Sequence, residues 1–502
     1  MIKIINDIEK RFPVDEWRID DICVWPLIRI ETAMRLQSKN AISNSNKFPR
    51  FLSRIKQAVA MLVGWARYYH ALIRDKAGNA KLDRSYDALF VDYTVSRTKL
   101  GNSYRNRLCG PIQEALDELG YSSLLCESSS KHEYRVPRYG KSLFIEKQIN
   151  EVLLRCFLSQ RTKPEECFLE GYAEAISYAC SEYKISLPSI TILCKRMNCF
   201  SSLEKFWDRI LDVIKPKFVF VVCYYSLVNM ALLSVCERKG IPTVDIQHGV
   251  QGHFHLAYGS WSRVPSYGYN VLPNYFLVWS EEEKNAIGDW SRKAGGQHRA
   301  LVAGNLWLES WRDSNSPQRA WFEPFLQKYL VRPEGKVRIL VTLQPICYPP
   351  AWFFAYLKKN SSRFDVWIRL HHTMIEKQRD VEKLIKLYEL TDANLMEATE
   401  LPLPGVLLLS DIHITLFSSV VIEAAQFHVP SIVMDPDHAH YYDSYLADGK
   451  CYTAFSEEEL DRVLAAIPLR DSTQPIDQPA RNNRDVISAF VQEIENNRAH
   501  TW

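Results

Sequence analysis

Several common arrangements are missing from this 502-residue chain. No apolar stretch reaches the roughly 20 residues that a membrane-spanning helix needs, so the chain reads as soluble or peripheral. No two of its 12 cysteines have C-x-x-C spacing. That sets aside the usual zinc and dithiol frameworks and leaves reduced thiols in a cytoplasmic protein. A strong charge of either sign is missing too. Lys+Arg 62 against Asp+Glu 59 leaves a formal +3, so no nucleic-acid partner is expected. No secretory leader is recognised in the first residues.

What is present is globular: 47% hydrophobic and 24% charged, in a chain long enough for two or three domains. Aromatic residues make up 12%, with 13 Trp and 25 Tyr. Such rings stack on sugars or fill large cores, and composition does not choose between the two.

The stretch 217–249 organises the rest. KFVFVVCYYS has the apolar run of a parallel strand buried on both faces, LVNMALLSVCERKG has helical spacing ended by Gly240, and IPTVDI is a second strand. Gln247, His248 and Gly249 follow at its tip. Open α/β sheets bind ligands at the carboxyl ends of their strands, which puts His248 in the expected site.

Residues 1–80 are expected to be a helical N-terminal region. Within it, 50–76 is a basic amphipathic helix that either lies on an anionic inner-leaflet surface or packs on the body of the protein. Residues 81–310 read as one Rossmann-like domain, with strands at 87–93, 122–126, 217–226, 241–246, 274–279 and 299–303. A linker is expected at 305–336. A second series follows over 337–470, with strands at 337–342, 366–370, 406–409, 413–416 and 431–434. Residues 471–502 hold a last helix that packs back on the first domain. The fold class expected is α/β, two Rossmann-like domains facing across a cleft, with an added helical N-terminal region.

Three polar strand ends fall in the second series. Ser418 and Ser419 open a helix, where hydroxyls and N–H groups suit phosphate, and Glu423 one turn later can accept from ribose hydroxyls; an ordinary N-cap pair with a surface glutamate fits equally. Arg369 and His371 end a second strand and Gln344 a third. In the first series, Arg97, Lys99, Arg105 and Arg107 crowd the loop after the first strand, either to hold an anionic or hydroxylated acceptor or as a solvated loop. Among possible bases, the ordinary imidazole pKa near 6.5 favours His248, with Asp92 and Asp245 as further candidates. His253 and His255 lie close to His248, but their spacing matches no common zinc pattern and no metal is expected.

With these residues in place, the chain resembles GT-B glycosyltransferases of bacterial surface-polysaccharide (capsule or O-antigen) assembly. The matching pieces are GIPTVDIQHGV at 240–250, NYFLVWSEEEK at 274–284, VAGNLWLE at 302–309, RLHH at 369–372 and FSSVVIEAAQFHVPSIV at 417–433, within roughly 85–470. The resemblance implies an acceptor-binding N-terminal domain and a C-terminal domain that binds a nucleotide sugar as co-substrate, with no bound metal. It places Ser418, Ser419 and Glu423 on donor phosphate and ribose; Gln344, Arg369 and His371, at the other strand ends of the same series, are read as donor-binding from their positions. His248 falls near the reacting sugar, with Arg97, Arg105, Gln247 and Gly249 toward a glycan or lipid-linked glycan acceptor. Relatives using CMP-activated sugars carry a His-Pro pair where this chain has His371-His372, which leaves the nucleotide open. The alternatives are a UDP-sugar 2-epimerase-like enzyme, a CDP-polyol phosphotransferase and a non-catalytic assembly subunit.

Overall fold

A computed structural model describes residues 2–41, 63–75, 78–129, 134–158, 168–331, 335–345, 347–468, 470 and 481–499. The chain divides into two units, residues 1–97, 103–306 and 482–502 in the first, 98–102 and 307–481 in the second. The fold is α/β, and each unit is built on a parallel sheet.

The first sheet contains β1 (Ala88–Tyr93), β2 (Ser123–Ser128), β3 (Leu143–Phe144), β4 (Phe218–Val222), β5 (Thr243–Ile246), β6 (Tyr275–Val278) and β7 (Arg299–Val302). Its spatial order is β7-β6-β5-β4-β1-β2-β3, parallel throughout. Side chains alternate across it, as the two-residue strand period demands. Leu89, Val91, Val219 and Val221 enter one core, while Ala88, Phe90, Phe218 and Phe220 enter the other. Both faces are therefore covered, which is why these strands read as unbroken apolar runs.

The N-terminal region is part of this unit and not a separate body. Ile5, Ile8, Trp17, Trp25 and Ile28 are buried in the same core as Val219 and Val221. Arg29 is fully buried, paired with Glu9, and donates to the carbonyls of Leu256 at 2.9 Å and Gly259 at 3.0 Å. These helices thus clamp the segment that follows His248. Of the expected basic helix, 50–62 lies outside the described residues; 63–74 is helical, burying Tyr68 and Ala71 while Ala66, Tyr69 and Ile73 are exposed. At the other end of the chain, Ile487, Phe490, Val491 and Ile494 of helix Asn483–Ala499 enter the core on the opposite face of the sheet.

The second sheet contains β8 (Val337–Thr342), β9 (Phe364–Arg369), β10 (Ile412–Thr415), β11 (Ser431–Val433) and β12 (Cys451–Thr453), ordered β9-β8-β10-β11-β12 and parallel. Two expectations are corrected here. The supposed linker is helical at Leu306–Arg312 and Pro317–Leu330, and 406–409 belongs to helix Leu403–Leu409. Every residue of that last helix is buried, so its apolar run has no polar side from which a period could be read.

Several histidines are structural. His298 is 3% exposed; its Nδ1 lies 2.8 Å from the Pro273 carbonyl, and its Nε2 accepts the Tyr269 N–H at 3.0 Å. A second ring proton would face that N–H, and burial lowers the pKa to about 4. The unfolded chain takes up this proton below about pH 6.5, while the folded chain refuses it until about 4. Stability therefore falls as pH drops through that window, by about 3 kcal/mol for a shift of this size. His298→Gln, which keeps an acceptor and removes the titration, is expected to flatten the stability–pH slope between pH 6.5 and 4 in chemical unfolding. An unchanged slope would show that His298 is not a source of it.

Candidate functional site

Strand order locates the sites. In the first sheet the order reverses between β1 and β4, in the second between β8 and β10, and ligands in such sheets bind outside the carboxyl ends at the reversal.

At the first reversal the chain leaves β4 through Cys223, whose φ of +62° is the left-handed region that a non-glycine residue occupies at a cost of about 1–2 kcal/mol. The turn is secured by Asn229, whose Nδ2 donates to the carbonyls of Val222 at 3.0 Å and Cys223 at 3.2 Å, and by Ser226 Oγ, which caps helix Leu227–Arg238. Tyr225 is thereby held with its hydroxyl 3.4 Å from His248 Nε2, and its ring centroid lies 5.7 Å from that of His255. His248 Nδ1 is buried and has no hydrogen-bond partner among the described residues. In the tautomer that carries its proton on Nδ1, the lone pair is left on Nε2 beside the Tyr225 hydroxyl. Burial first, and the charge of Arg107 after it, lower the His248 pKa to about 4. The ordinary value near 6.5 is thus replaced by one that keeps the ring neutral at physiological pH.

The neighbours expected to share its chemistry have structural duties. Gln247 is 0% exposed: its Nε2 donates to Gly249 O at 3.0 Å and its Oε1 accepts the Trp279 N–H at 2.7 Å. It pins both sides of His248 and has no face for an acceptor. Gly249 has open space around it. Asp92 is 1% exposed, and its carboxylate accepts from Tyr93 N at 2.6 Å, Ser96 Oγ at 2.9 Å and Asn106 Nδ2 at 2.7 Å. It ties down the arginine loop, and burial raises its pKa to about 6. Asp245, also 1% exposed, accepts from Tyr224 N at 2.9 Å and the Tyr258 hydroxyl at 2.8 Å. Burial pushes it to about 8, so it holds its proton at neutral pH and is in the wrong state for a base.

The arginines divide similarly. Arg97 is buried against Glu127, and Arg105 pairs with Glu114 and lies over the Tyr139 ring at 4.9 Å. Neither is presented to an acceptor. Arg107, part-exposed and near enough to His248 to disfavour its protonation, has no side-chain hydrogen bond or ion pair among the described residues. It was one of four similar residues in its loop, and no local signal singles it out. His253 is exposed, 3.8 Å from Asp289, and no three metal-ligating side chains gather among the described residues.

At the second reversal a polar bridge spans the strand ends. Thr342 Oγ1 lies 2.8 Å from His413 Nε2, and His413 Nδ1 lies 3.0 Å from Ser431 Oγ, linking β8, β10 and β11. Above it Gln344 follows β8, half-buried and without a side-chain hydrogen bond among the described residues. Ser418 and Ser419 follow β10. Ser418 Oγ accepts the Val420 N–H at 3.3 Å, while Ser419 heads helix Val420–Gln426 without using its hydroxyl as a cap. Glu423 is half-buried one turn later.

Two expected donor residues are differently employed. Arg369 Nη1 donates to the carbonyls of Ala398 at 2.5 Å and Leu401 at 2.7 Å, fixing the chain beside β9. His371 Nδ1 accepts the Thr373 N–H at 3.3 Å and so caps the turn His372–Lys377. The loop after β11 adds further contacts. There the Tyr442 hydroxyl donates to Ser418 O at 2.8 Å, and His438 Nδ1 lies 2.9 Å from Asp435 Oδ2.

No family model and no curated protein matches the chain. Solved structures with a similar course include a UDP-GlcNAc 2-epimerase from Neisseria meningitidis bound to UDP-GlcNAc, with a TM-score of 0.47 and 13% identity over 82% of this chain and 100% of that one. The UDP-GlcNAc 2-epimerase from Methanocaldococcus jannaschii has a TM-score of 0.44 and 11% identity over 82% and 99%. The glycosyltransferase SnogD from Streptomyces nogalater has a TM-score of 0.37 and 14% identity over 81% and 96%. At these scores neither reaction nor substrate passes from those enzymes to this chain.

Proposed function

We propose that the protein is a glycosyltransferase that moves a sugar from a nucleotide-activated donor to a glycan or lipid-linked glycan acceptor of surface-polysaccharide assembly. The observation that carries this reading is the difference between the two strand-order reversals. The first holds a neutral imidazole with an acceptor nitrogen and a neighbouring unpaired arginine, Arg107. The second holds the Ser418-Ser419 turn, Gln344 and Glu423. Glycosyl transfer needs charge stabilisation on the leaving phosphate and, where it inverts the anomeric centre, a base on the acceptor hydroxyl. His248 supplies the base through Nε2. Ser418 and Ser419 hydrogen-bond the donor phosphates, Glu423 takes ribose hydroxyls, and no metal is called upon. Arg107 takes the place of Arg97 and Arg105 on the acceptor side. The exposed side of 63–74, with Tyr69 and Ile73, is the surface that would meet a lipid-linked acceptor; co-sedimentation with anionic vesicles tests that arm.

The decisive screen is thermal shift against CMP, CDP, UDP, GDP and dTDP. A ligand specific to the folded state raises stability by mass action, about 2.7 kcal/mol at a hundred times its Kd. One nucleotide is expected to raise Tm, and Glu423→Ala or Ser419→Ala to reduce the effect. Product formed from a UDP-sugar without acceptor would point instead to the epimerase alternative. No shift with any nucleotide would sink the transferase reading.

A further inference from the structure

The segment Met434 to Tyr442, which leaves β11, holds a pair that the proposed chemistry has not used. Asp435 Oδ1 accepts the Asp437 N–H at 2.9 Å, which locks the carboxylate in a turn, and Oδ2 lies 2.9 Å from His438 Nδ1. A carboxylate on Nδ1 sets the tautomer: the proton sits between them and the lone pair is left on Nε2.

The ring is also fixed in orientation. His438 stacks on Phe417 with centroids 4.2 Å apart and planes at 20°, and lies nearly parallel to Tyr441 at 5.7 Å and 18°. Stacked faces leave only edges for polar contacts, and Asp435 occupies the Nδ1 edge. The Nε2 edge has no hydrogen-bond partner among the described residues, and 39% of the side chain is exposed. Phe417 directly precedes Ser418, whose carbonyl is held by the Tyr442 hydroxyl at 2.8 Å. The ring stack and the serine turn therefore form one piece at the β8–β10 reversal.

The geometry points to His438, backed by Asp435, as the residue that meets the donor's phosphate beside Ser418 and Ser419. As the imidazolium its Nε2–H donates to a phosphate oxygen, a charge-assisted bond. This rests on the donor reading of the second unit and fills the role expected of His371, whose Nδ1 caps a turn. Among the described residues the pair belongs to no group of three metal-ligating side chains.

The test is a titration of full-length protein labelled with 15N-histidine, using inorganic pyrophosphate and then UDP and CDP, with His438→Gln assigning the resonance. The His438 signal is expected to move toward the imidazolium form with pyrophosphate alone. His438→Gln is expected to bind UDP or CDP roughly tenfold more weakly and to leave the affinity for uridine or cytidine unchanged; Asp435→Asn should show the same pattern, smaller. An unmoved His438 signal while other resonances report bound pyrophosphate would overturn the assignment. So would an equal loss for nucleoside and diphosphate, which would make the ring stack a base site, and so would no pyrophosphate binding at all. Pyrophosphate that titrates His438 while no nucleotide binds would defeat the transferase reading and keep the histidine assignment. Turnover of a nucleotide sugar that is unchanged in His438→Gln would do the reverse.

Discussion

Replacing His248 by alanine is expected to lower the rate of sugar transfer by about 10²–10⁴-fold, the usual worth of a positioned general base. The folded state should be nearly untouched. The residue keeps some exposure although its ring is largely desolvated, Nδ1 has no hydrogen-bond partner among the described residues, and its contact with the Tyr225 hydroxyl is long at 3.4 Å. The loss should fall on kcat, with the donor's effect on Tm preserved, because the donor residues proposed above belong to the other unit. The pH profile sharpens the test. Burial holds His248 at about 4, so kcat/KM should stay level as pH falls below 6.5 and decline only as pH approaches about 4. A limb at about 6–6.5 would mean that the titrating base is another group, with Asp92, held at about 6, the first to replace. Full activity in His248→Ala would remove the base from the proposal altogether.

What was legible in the sequence follows from how far apart the interacting residues lie. The inner strands of both sheets could be read because they are buried on two faces, and β1 and β8 begin and end within a residue or so of the expected bounds, whereas β4 stops at Val222, four residues short of the expected 226. The short edge strands β3 and β12, two and three residues long, show no period and were missed. Strand ends could also be read, and with them the neighbourhoods of His248 and Ser418. The direction of each polar side chain could not. Gln247 looks like an exposed tip residue until Trp279, 32 residues on, takes its carboxamide oxygen. Asp92 looks like a strand-end acid until Asn106 folds back onto it. The Asp435–His438 pair is the contrary case. Its spacing of three residues just past a strand is local, and a reading that asked which carboxylate could orient each histidine would have found it.

The largest loss of stability is expected where an acceptor-binding role had been anticipated, at Arg97. All five of its N–H groups are used: Nε and Nη2 on Glu127 at 2.7 and 2.8 Å, Nη2 again on Ser142 Oγ at 3.3 Å, and Nη1 on the carbonyls of Tyr104 at 2.6 Å and Tyr139 at 3.4 Å. The Ser142 hydroxyl also bonds Glu127 and Arg138, and Arg138 in turn donates to Asp75 at 2.5 Å and Gly78 O at 2.8 Å. Arg97, Glu127, Arg138 and Asp75 thus form a balanced buried network that joins the end of the 63–74 helix to β2 and the start of β3. Truncation to Arg97→Ala strands Glu127, itself fully buried, and should cost about 3–5 kcal/mol in urea unfolding of the full chain. Removing both charges together, as in Arg97→Met with Glu127→Leu, should recover most of that loss, because the expense lies in the uncompensated charge and not in the absent attraction. Wild-type stability in Arg97→Ala, with acceptor binding weakened, would show instead that the guanidinium is free to turn outward. The recovery in the double variant separates these accounts, since a lost acceptor contact is not restored by removing Glu127.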